Sequence, residues 1–236
     1  MRKGQIIVTG ASRGIGEGVA AELDRRGFAV VALSRSGTSP VGTGMRCDMT
    51  DEASVKAVIA EVAERGPIVG LVNNAGVQIA TPSAELTLAS FEESLRLNIG
   101  GALVASREAY PMLKAAGGGL IVNMGSFYDK IGVPRNLAYC ASKAALGAMT
   151  RCLAVEWARD GIRVLNVAPG YVATDLNREF LAKPKIRDWI EKDVPVGRPG
   201  SVSEIATFIG TLFSEQVPYL TGETIYIDGG HGMSQL

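Results

Sequence analysis

The stretch Gln5-Ile6-Ile7-Val8-Thr9-Gly10-Ala11-Ser12-Arg13-Gly14-Ile15-Gly16 decides the fold. It opens with an apolar, largely β-branched run of strand length, and glycines follow at positions 10, 14 and 16, where helical spacing of apolar residues begins. A strand that turns sharply into a helix brings bare backbone amides and the positive helix end to one point, which suits a pyrophosphate. Gly10 permits the tight turn, Gly14 lets a phosphate approach the backbone, and Gly16 lets the helix pack closely. The spacing is not G-x-G-x-x-G, and a glycine turn alone serves structure as readily as a ligand. What surrounds it decides for a dinucleotide.

Working outward, further short runs of strand character lie at 29–34, 68–73, 119–124, 163–168 and 223–227, separated by longer segments of helical spacing. That alternation predicts an α/β fold, a Rossmann-type doubly wound parallel sheet with helices on both faces, because strands so apolar must be covered on each side. Ligands of such sheets sit at the carboxyl ends of the strands, and Gly10, Ser34, Asn74, Ser126 and Pro169 all fall at or just past a predicted strand end. At the end of the second strand an NAD enzyme usually carries an acid for the ribose 2′-hydroxyl; here the chain reads Leu33-Ser34-Arg35. Ser34 and Arg35, with Arg13 in the glycine turn, favour NADP(H) and leave NAD(H) possible, since a guanidinium fork hydrogen-bonds a 2′-phosphate that a carboxylate repels.

The 236 residues suit one domain, 1–236, with no composition shift, long linker, repeat or low-complexity tract to divide it. Hydrophobic residues make up 47% and charged residues 20%, which excludes a disordered chain, and 24 basic against 24 acidic residues give no basic field for nucleic acid or an anionic membrane. The expected partner is a small molecule. Cys47, Cys140 and Cys152 have neither disulfide nor zinc spacing, so reduced thiols and no metal are expected. Met1-Arg2-Lys3-Gly4 is charged, yet the apolar run Ile6–Val8 is too short for a signal segment, and no stretch approaches a membrane span; the expectation is a cytoplasmic protein.

Tyr139-Cys140-Ala141-Ser142-Lys143 places a tyrosine and a lysine at i and i+4, on one helix face. Such pairs are common on solvated helices, but an ammonium and a cationic cofactor ring beside a phenol would favour the phenolate and let Tyr139 exchange protons near neutral pH. Taken with the other segments, the chain resembles the short-chain dehydrogenase/reductase family from Ile6 to about Gly230: TGASRGIG from Thr9, NNAG at Asn73–Gly76, Asn98, Ser126, YCASK from Tyr139, PG at Pro169-Gly170 and IDGG from Ile227, in that order.

The resemblance implies a catalytic tetrad of Asn98, Ser126, Tyr139 and Lys143. Tyr139 would exchange the proton while nicotinamide C4 gives or accepts hydride, and Ser126 would orient the carbonyl oxygen. Lys143 would lower the Tyr139 pKa and hold the nicotinamide ribose, and Asn98 would position a water leading protons outward. The cofactor set it implies is Gly10, Ser12, Arg13, Gly14, Ile15, Gly16, Ser34, Arg35, Asp48, Met49, Asn74, Ala75, Gly76, Tyr139, Lys143, Pro169, Gly170, Val172 and Thr174, with Asp48 toward the adenine amino group and Val172 and Thr174 toward the carboxamide. Asp48 is also placed to cap the next helix. Asn73 reads as structural. Family members of this type use the pro-S hydride and assemble as homotetramers through segments matching Phe91–Ala115 and Tyr139–Arg159.

Residues 175–195 match the family's variable substrate lid, where Phe180 and Trp189 serve either to cover substrate or to anchor the lid's own helices. Phe127, Tyr128, Val133, Arg135 and Tyr171 are pocket candidates because they follow strand ends near Ser126 and Gly170. The implied function is hydride transfer between NADP(H) and a ketone or secondary alcohol, as a carbonyl reductase or alcohol dehydrogenase. A 3-oxoacyl-thioester reductase is the alternative, though Lys114 followed by Ala115-Ala116-Gly117-Gly118-Gly119 makes a poor basic cluster. An NADP-sensing regulator is the alternative of another class, and the intact tetrad weighs against it. His231, the one histidine, has no carboxylate or cysteine neighbour in sequence and is read as non-catalytic.

Overall fold

The computed structural model describes residues 4–215 and 217–233; Met1–Lys3, which bear on the signal-segment expectation, lie outside them. The strands are β1 (Gln5–Thr9), β2 (Ala29–Ser34), β3 (Thr43–Arg46), β4 (Ile68–Asn73), β5 (Gly119–Met124), β6 (Ile162–Pro169), β7 (Val172–Ala173), β8 (Gly200–Ser201) and β9 (Thr224–Ile227). The helices are α1 (Gly14–Arg25), α2 (Glu52–Glu64), α3 (Leu88–Leu95), α4 (Gly101–Ala115), α5 (Leu137–Trp157), α6 (Arg178–Leu181), α7 (Pro184–Asp193) and α8 (Val202–Ser214). Seven strands form one parallel sheet in the order β3-β2-β1-β4-β5-β6-β9, and β7 and β8 pair apart from it. The strand order reverses direction at β1 and β4, where the glycine turn and the Asn74 segment meet.

Because successive side chains point to opposite faces, the apolar strands feed two cores. Ile6, Val8, Val30, Val122 and Val167 pack with Val19 and Leu23 of α1 and Ile205 and Ile209 of α8. Ile7, Leu33, Leu71, Ile121 and Val164 pack on the other side with Val55 and Ile59 of α2, Leu113 of α4 and Leu153 of α5. Each fully buried Ile or Leu contributes about 2 kcal/mol relative to exposure. Five of the six expected strands carry their expected extents closely and the last begins at Thr224. The short edge strand β3 was not expected, because Thr43-Gly44-Met45-Arg46 has little β-branched character and is held instead by pairing with β2.

A row of polar residues crosses this apolar sheet. Asn73, Asn123, Asn166 and Thr224 lie in register on β4, β5, β6 and β9. Asn73 Nδ2 donates to Asn123 Oδ1 at 2.8 Å, Asn123 Nδ2 to Thr150 Oγ1 at 2.9 Å and Asn166 Nδ2 to Thr224 Oγ1 at 3.1 Å. Asn73 Nδ2 also reaches Ser106 Oγ of α4 at 2.9 Å, which bears out its structural role.

Candidate active site

The glycine turn is stapled to the end of β4. Thr9 Oγ1 accepts from the amides of Asn74 and Ala75, both at 3.0 Å, and Asn74 Nδ2 donates to the carbonyls of Thr9 at 3.0 Å and Gly10 at 3.1 Å. The Asn74 side chain therefore shapes the turn. A Cβ on Gly16 would lie 2.3 Å from both Asn74 Nδ2 and the Gly10 carbonyl, so only glycine fits there. Gly14, at φ +61°, leaves room for a Cβ, which would meet Thr174 Cγ2 at ordinary contact distance, 3.9 Å. The glycine turn and Thr174 are thus close neighbours. The helix α1 has no side-chain cap at its start, so the first-turn amides of Gly14, Ile15 and Gly16 have no partner inside the helix.

At the adenosine end, Ser12, Arg13 and Arg35 are exposed, and among the described residues neither guanidinium has a hydrogen bond or salt bridge. Ser34 is buried, and its hydroxyl is occupied by Ser36 Oγ at 3.1 Å and the Gly37 amide at 3.1 Å. Ser36 in turn meets Thr38 Oγ1 at 2.8 Å, so a run of hydroxyls closes the loop beside Arg35. Asp48 is exposed and accepts from the amide and hydroxyl of Thr50 at 2.9 and 2.8 Å; those bonds, with Arg35 nearby, hold its carboxyl below the usual range. The helix α2 is capped by Asp51, not Asp48. Met49 is buried, and its carbonyl lies against Gly101, 2.7 Å from where a Cβ would sit.

On the nicotinamide side, Gly170 donates to the Ile227 carbonyl at 3.0 Å just past Pro169. Asn177 clamps the following segment: its Nδ2 donates to the Val172 carbonyl at 2.9 Å and its Oδ1 accepts from the Thr174 amide at 2.8 Å.

The reacting groups stand at the ends of β5 and in the first turns of α5. Ser126, 7% exposed, accepts from the Tyr128 amide at 3.3 Å, and its hydroxyl lies near enough to the Tyr139 phenol to act on its proton affinity. Burial pushes the Tyr139 phenol up to about 12, with the Ser126 hydroxyl opposing it. Lys143 is buried, its ammonium donates to the Met124 carbonyl at 2.6 Å, and burial pulls it down to about 8. The expected lowering of Tyr139 by Lys143 is not what this arrangement produces: Lys143 Nζ lies 5.5 Å from the Tyr139 ring centroid and gives its short bond to a carbonyl instead.

Asn98, 1% exposed, sits in a π turn at Arg96–Gly100. Its Nδ2 donates to the Val77 carbonyl at 2.9 Å and Ser142 Oγ at 3.0 Å, and its Oδ1 accepts from the Val77 amide at 2.8 Å. A Cβ on Gly76 would be 3.2 Å from Asn98 Oδ1 and 3.7 Å from Lys143 Nζ, so Gly76, Asn98 and Lys143 border one space.

Sequence reasoning missed Thr9, Ser36, Thr38 and Asn177, whose hydroxyl and amide spacings look like ordinary loop composition. It also gave His231 no place. Its ring packs against Phe127, Tyr171 and Trp189 with centroids 5.2, 5.7 and 5.6 Å away, and its Nδ1 lies 3.1 Å from the Asp193 carbonyl at the end of α7. Trp189 also meets Tyr171 at 5.3 Å, whereas Phe180 is 49% exposed; the anchors of α6 and α7 are Leu181, Ile190 and Val194.

A doubly wound parallel sheet with a glycine turn at its switch point and a Ser-Tyr-Lys group beyond β5 defines a nicotinamide-dependent oxidoreductase. Residues 10–232 match the family model described as enoyl-(acyl carrier protein) reductase. The chain is 36% identical to glucose 1-dehydrogenase of Gluconobacter oxydans, over 96% of this chain and 91% of that one. It is 34% identical to D-threitol dehydrogenase of Mycolicibacterium smegmatis, over 95% and 91%. Among solved structures, a gluconate 5-dehydrogenase from Burkholderia cenocepacia J2315, in complex with NADP and tartrate, superposes with a TM-score of 0.90 at 29% identity, covering 99% of this chain and 97% of that one. The chain belongs to the short-chain dehydrogenase/reductase family, NAD(P)-dependent enzymes acting on CH–OH groups. Among the described residues no helix is long and apolar enough to cross a membrane, and no group of His, Cys, Asp and Glu is placed to hold a metal.

Proposed function

We propose that the chain interconverts a ketone and its secondary alcohol with NADP(H), Tyr139 exchanging the proton. The observation that carries this reading is the placement of Ser126 beside the Tyr139 phenol, with Lys143 Nζ 5.5 Å from the Tyr139 ring, just beyond the end of β5. The open cradle at Gly14 and the uncapped start of α1 fit a pyrophosphate, and the unpaired Arg13 and Arg35 fit a 2′-phosphate. Bound NADP(H) supplies or accepts the hydride at nicotinamide C4.

The chain's own groups do the rest. The Tyr128 amide occupies one lone pair of Ser126 Oγ, which turns the Ser126 hydrogen outward toward the reacting oxygen and the phenol. Tyr139, a phenol with a pKa of about 12, carries its proton through the neutral range and donates it to the carbonyl oxygen. That favours reduction at neutral pH, and alcohol oxidation should speed up as pH rises. Lys143 has ammonium hydrogens beyond the one on Met124; they border the Gly76 wall, where the nicotinamide ribose would lie. Asn98 Oδ1 keeps a second lone pair toward the same space and serves a water that returns protons from solvent.

The helices α6 and α7 act as the substrate lid. Exposed Leu103 on α4 and Val155 on α5, at 45% and 81%, support a homotetramer built on those helices. The test is Tyr139→Phe: turnover should fall about a thousandfold while NADPH binding stays unchanged. A variant that keeps its rate overturns the mechanism.

A further inference from the structure

We infer that Tyr128 and Tyr171 together read a second hydroxyl on the substrate, so that the preferred ketone is an uncharged hydroxyketone carrying that hydroxyl close to the reacting carbon. The inference rests on the hydride-transfer reading above and extends it to substrate class.

The two phenol oxygens lie 3.2 Å apart. Tyr128 is 8% exposed and Tyr171 is partly buried, and among the described residues neither hydroxyl has another hydrogen-bond partner. Two hydroxyls joined by one bond spend one hydrogen and one lone pair; the other hydrogen and the remaining lone pairs stay open. Buried hydroxyls ordinarily use their donors, so the open one marks a place for a ligand oxygen.

Its position says which ligand oxygen. The Tyr128 ring stands edge-on to the Tyr139 ring at 5.8 Å, and the Tyr128 amide holds Ser126. Tyr171 lies on the far side of the pair, edge-on to Trp189 at 5.3 Å and to Phe127 at 5.1 Å. A carbonyl seated between Ser126 and Tyr139 therefore extends its remaining carbons over the phenol pair toward the lid, between aromatic walls. Burial and the bond with Tyr128 push the Tyr171 phenol up, so it remains a neutral donor. An uncharged polyoxygenated molecule suits such a place better than a carboxylate or phosphate. In the reaction, hydride from the reduced nicotinamide nucleotide adds to the carbonyl carbon, the oxygen takes the Tyr139 proton, and the neighbouring hydroxyl is unchanged.

The test compares kcat/KM with NADPH for 3-hydroxy-2-butanone against 2-butanone and for 1-hydroxy-2-propanone against 2-propanone, in the full-length enzyme and in Tyr128→Phe, Tyr171→Phe and the double variant. The readout is the ratio within each pair, which a general loss of activity or fold does not move. The hydroxyketone should lead by at least roughly tenfold, each single variant should lower that ratio severalfold, and the double variant should bring it close to unity. A ratio near unity in the parent enzyme overturns the inference, and so does a high ratio that survives in the double variant; both leave the hydride-transfer reading standing. No turnover of any ketone with either nicotinamide cofactor overturns that reading and this inference with it.

Discussion

Replacing Lys143 by methionine should destroy activity and yet leave the protein at least as stable. Burial pulls the ammonium from 10.5 to about 8, a displacement of about 2.5 pH units that corresponds to a penalty of about 3 kcal/mol for carrying the charge in the folded chain. Methionine removes that penalty at similar length. It also strips the Met124 carbonyl of its 2.6 Å donor, which costs about 1–3 kcal/mol. The balance runs from neutral to about 2 kcal/mol stabilising, or a Tm rise of up to about 6 °C in a chain of this size.

The pH dependence carries the sign. Below pH 8 the lysine is charged in both folded and unfolded chains, so the penalty is full. Between about 8 and 10.5 the folded chain sheds a proton that the unfolded chain still holds, so the parent gains stability and the variant's advantage shrinks. Calorimetric melts of both proteins from pH 7 to 10 check this. A Tm that falls by more than about 4 °C at pH 7, or a difference that stays flat across the range, would refute the reasoning.

Arg35→Ala should weaken NADPH by about 2 kcal/mol, roughly 30-fold, and barely touch NADH, as measured by fluorescence titration; equal losses would sink the NADP assignment. Gly16→Ala should drive a methyl into the Gly10 carbonyl, 2.3 Å from its Cβ, and destabilise by about 1–3 kcal/mol, with cofactor affinity lost alongside; melts and titration together report it. Light scattering should give four chains' mass, and a monomer mass would overturn the assembly read from α4 and α5.

Much of the fold was legible because parallel strands buried on both faces read as apolar runs that local sequence cannot disguise. The edge strand β3 was not, since its residues owe their conformation to β2. The site divides the same way. Gly10, Gly14 and Gly16 announce themselves because left-handed backbone at the first two and a 2.3 Å approach at the third disfavour a side chain, whereas Ser34 looks like a ligand residue in sequence and spends its hydroxyl on Ser36 and Gly37. The Tyr139–Lys143 spacing gives their shared face and says nothing of the competing Met124 carbonyl, which comes from a strand nineteen residues earlier. His231 was illegible for a related reason: its neighbours Phe127, Tyr171 and Trp189 are distant in sequence and meet it through the tertiary fold alone.

The polar row across β4, β5, β6 and β9 bears on how the chain avoids misassembly. Strands β4, β5 and β6 are apolar segments of similar make-up, and hydrophobic attraction alone would align any of them one step out of place at little cost. A single-residue slip turns a strand's side chains over, sending an asparagine from the Thr150 and Ser106 side into the wholly apolar layer against α1 and α8. Stranding one amide there costs about 1–3 kcal/mol, and it also breaks the hand-hold on the next strand. The row works as an alignment key, penalising each wrong pairing during assembly while adding little to the finished sheet.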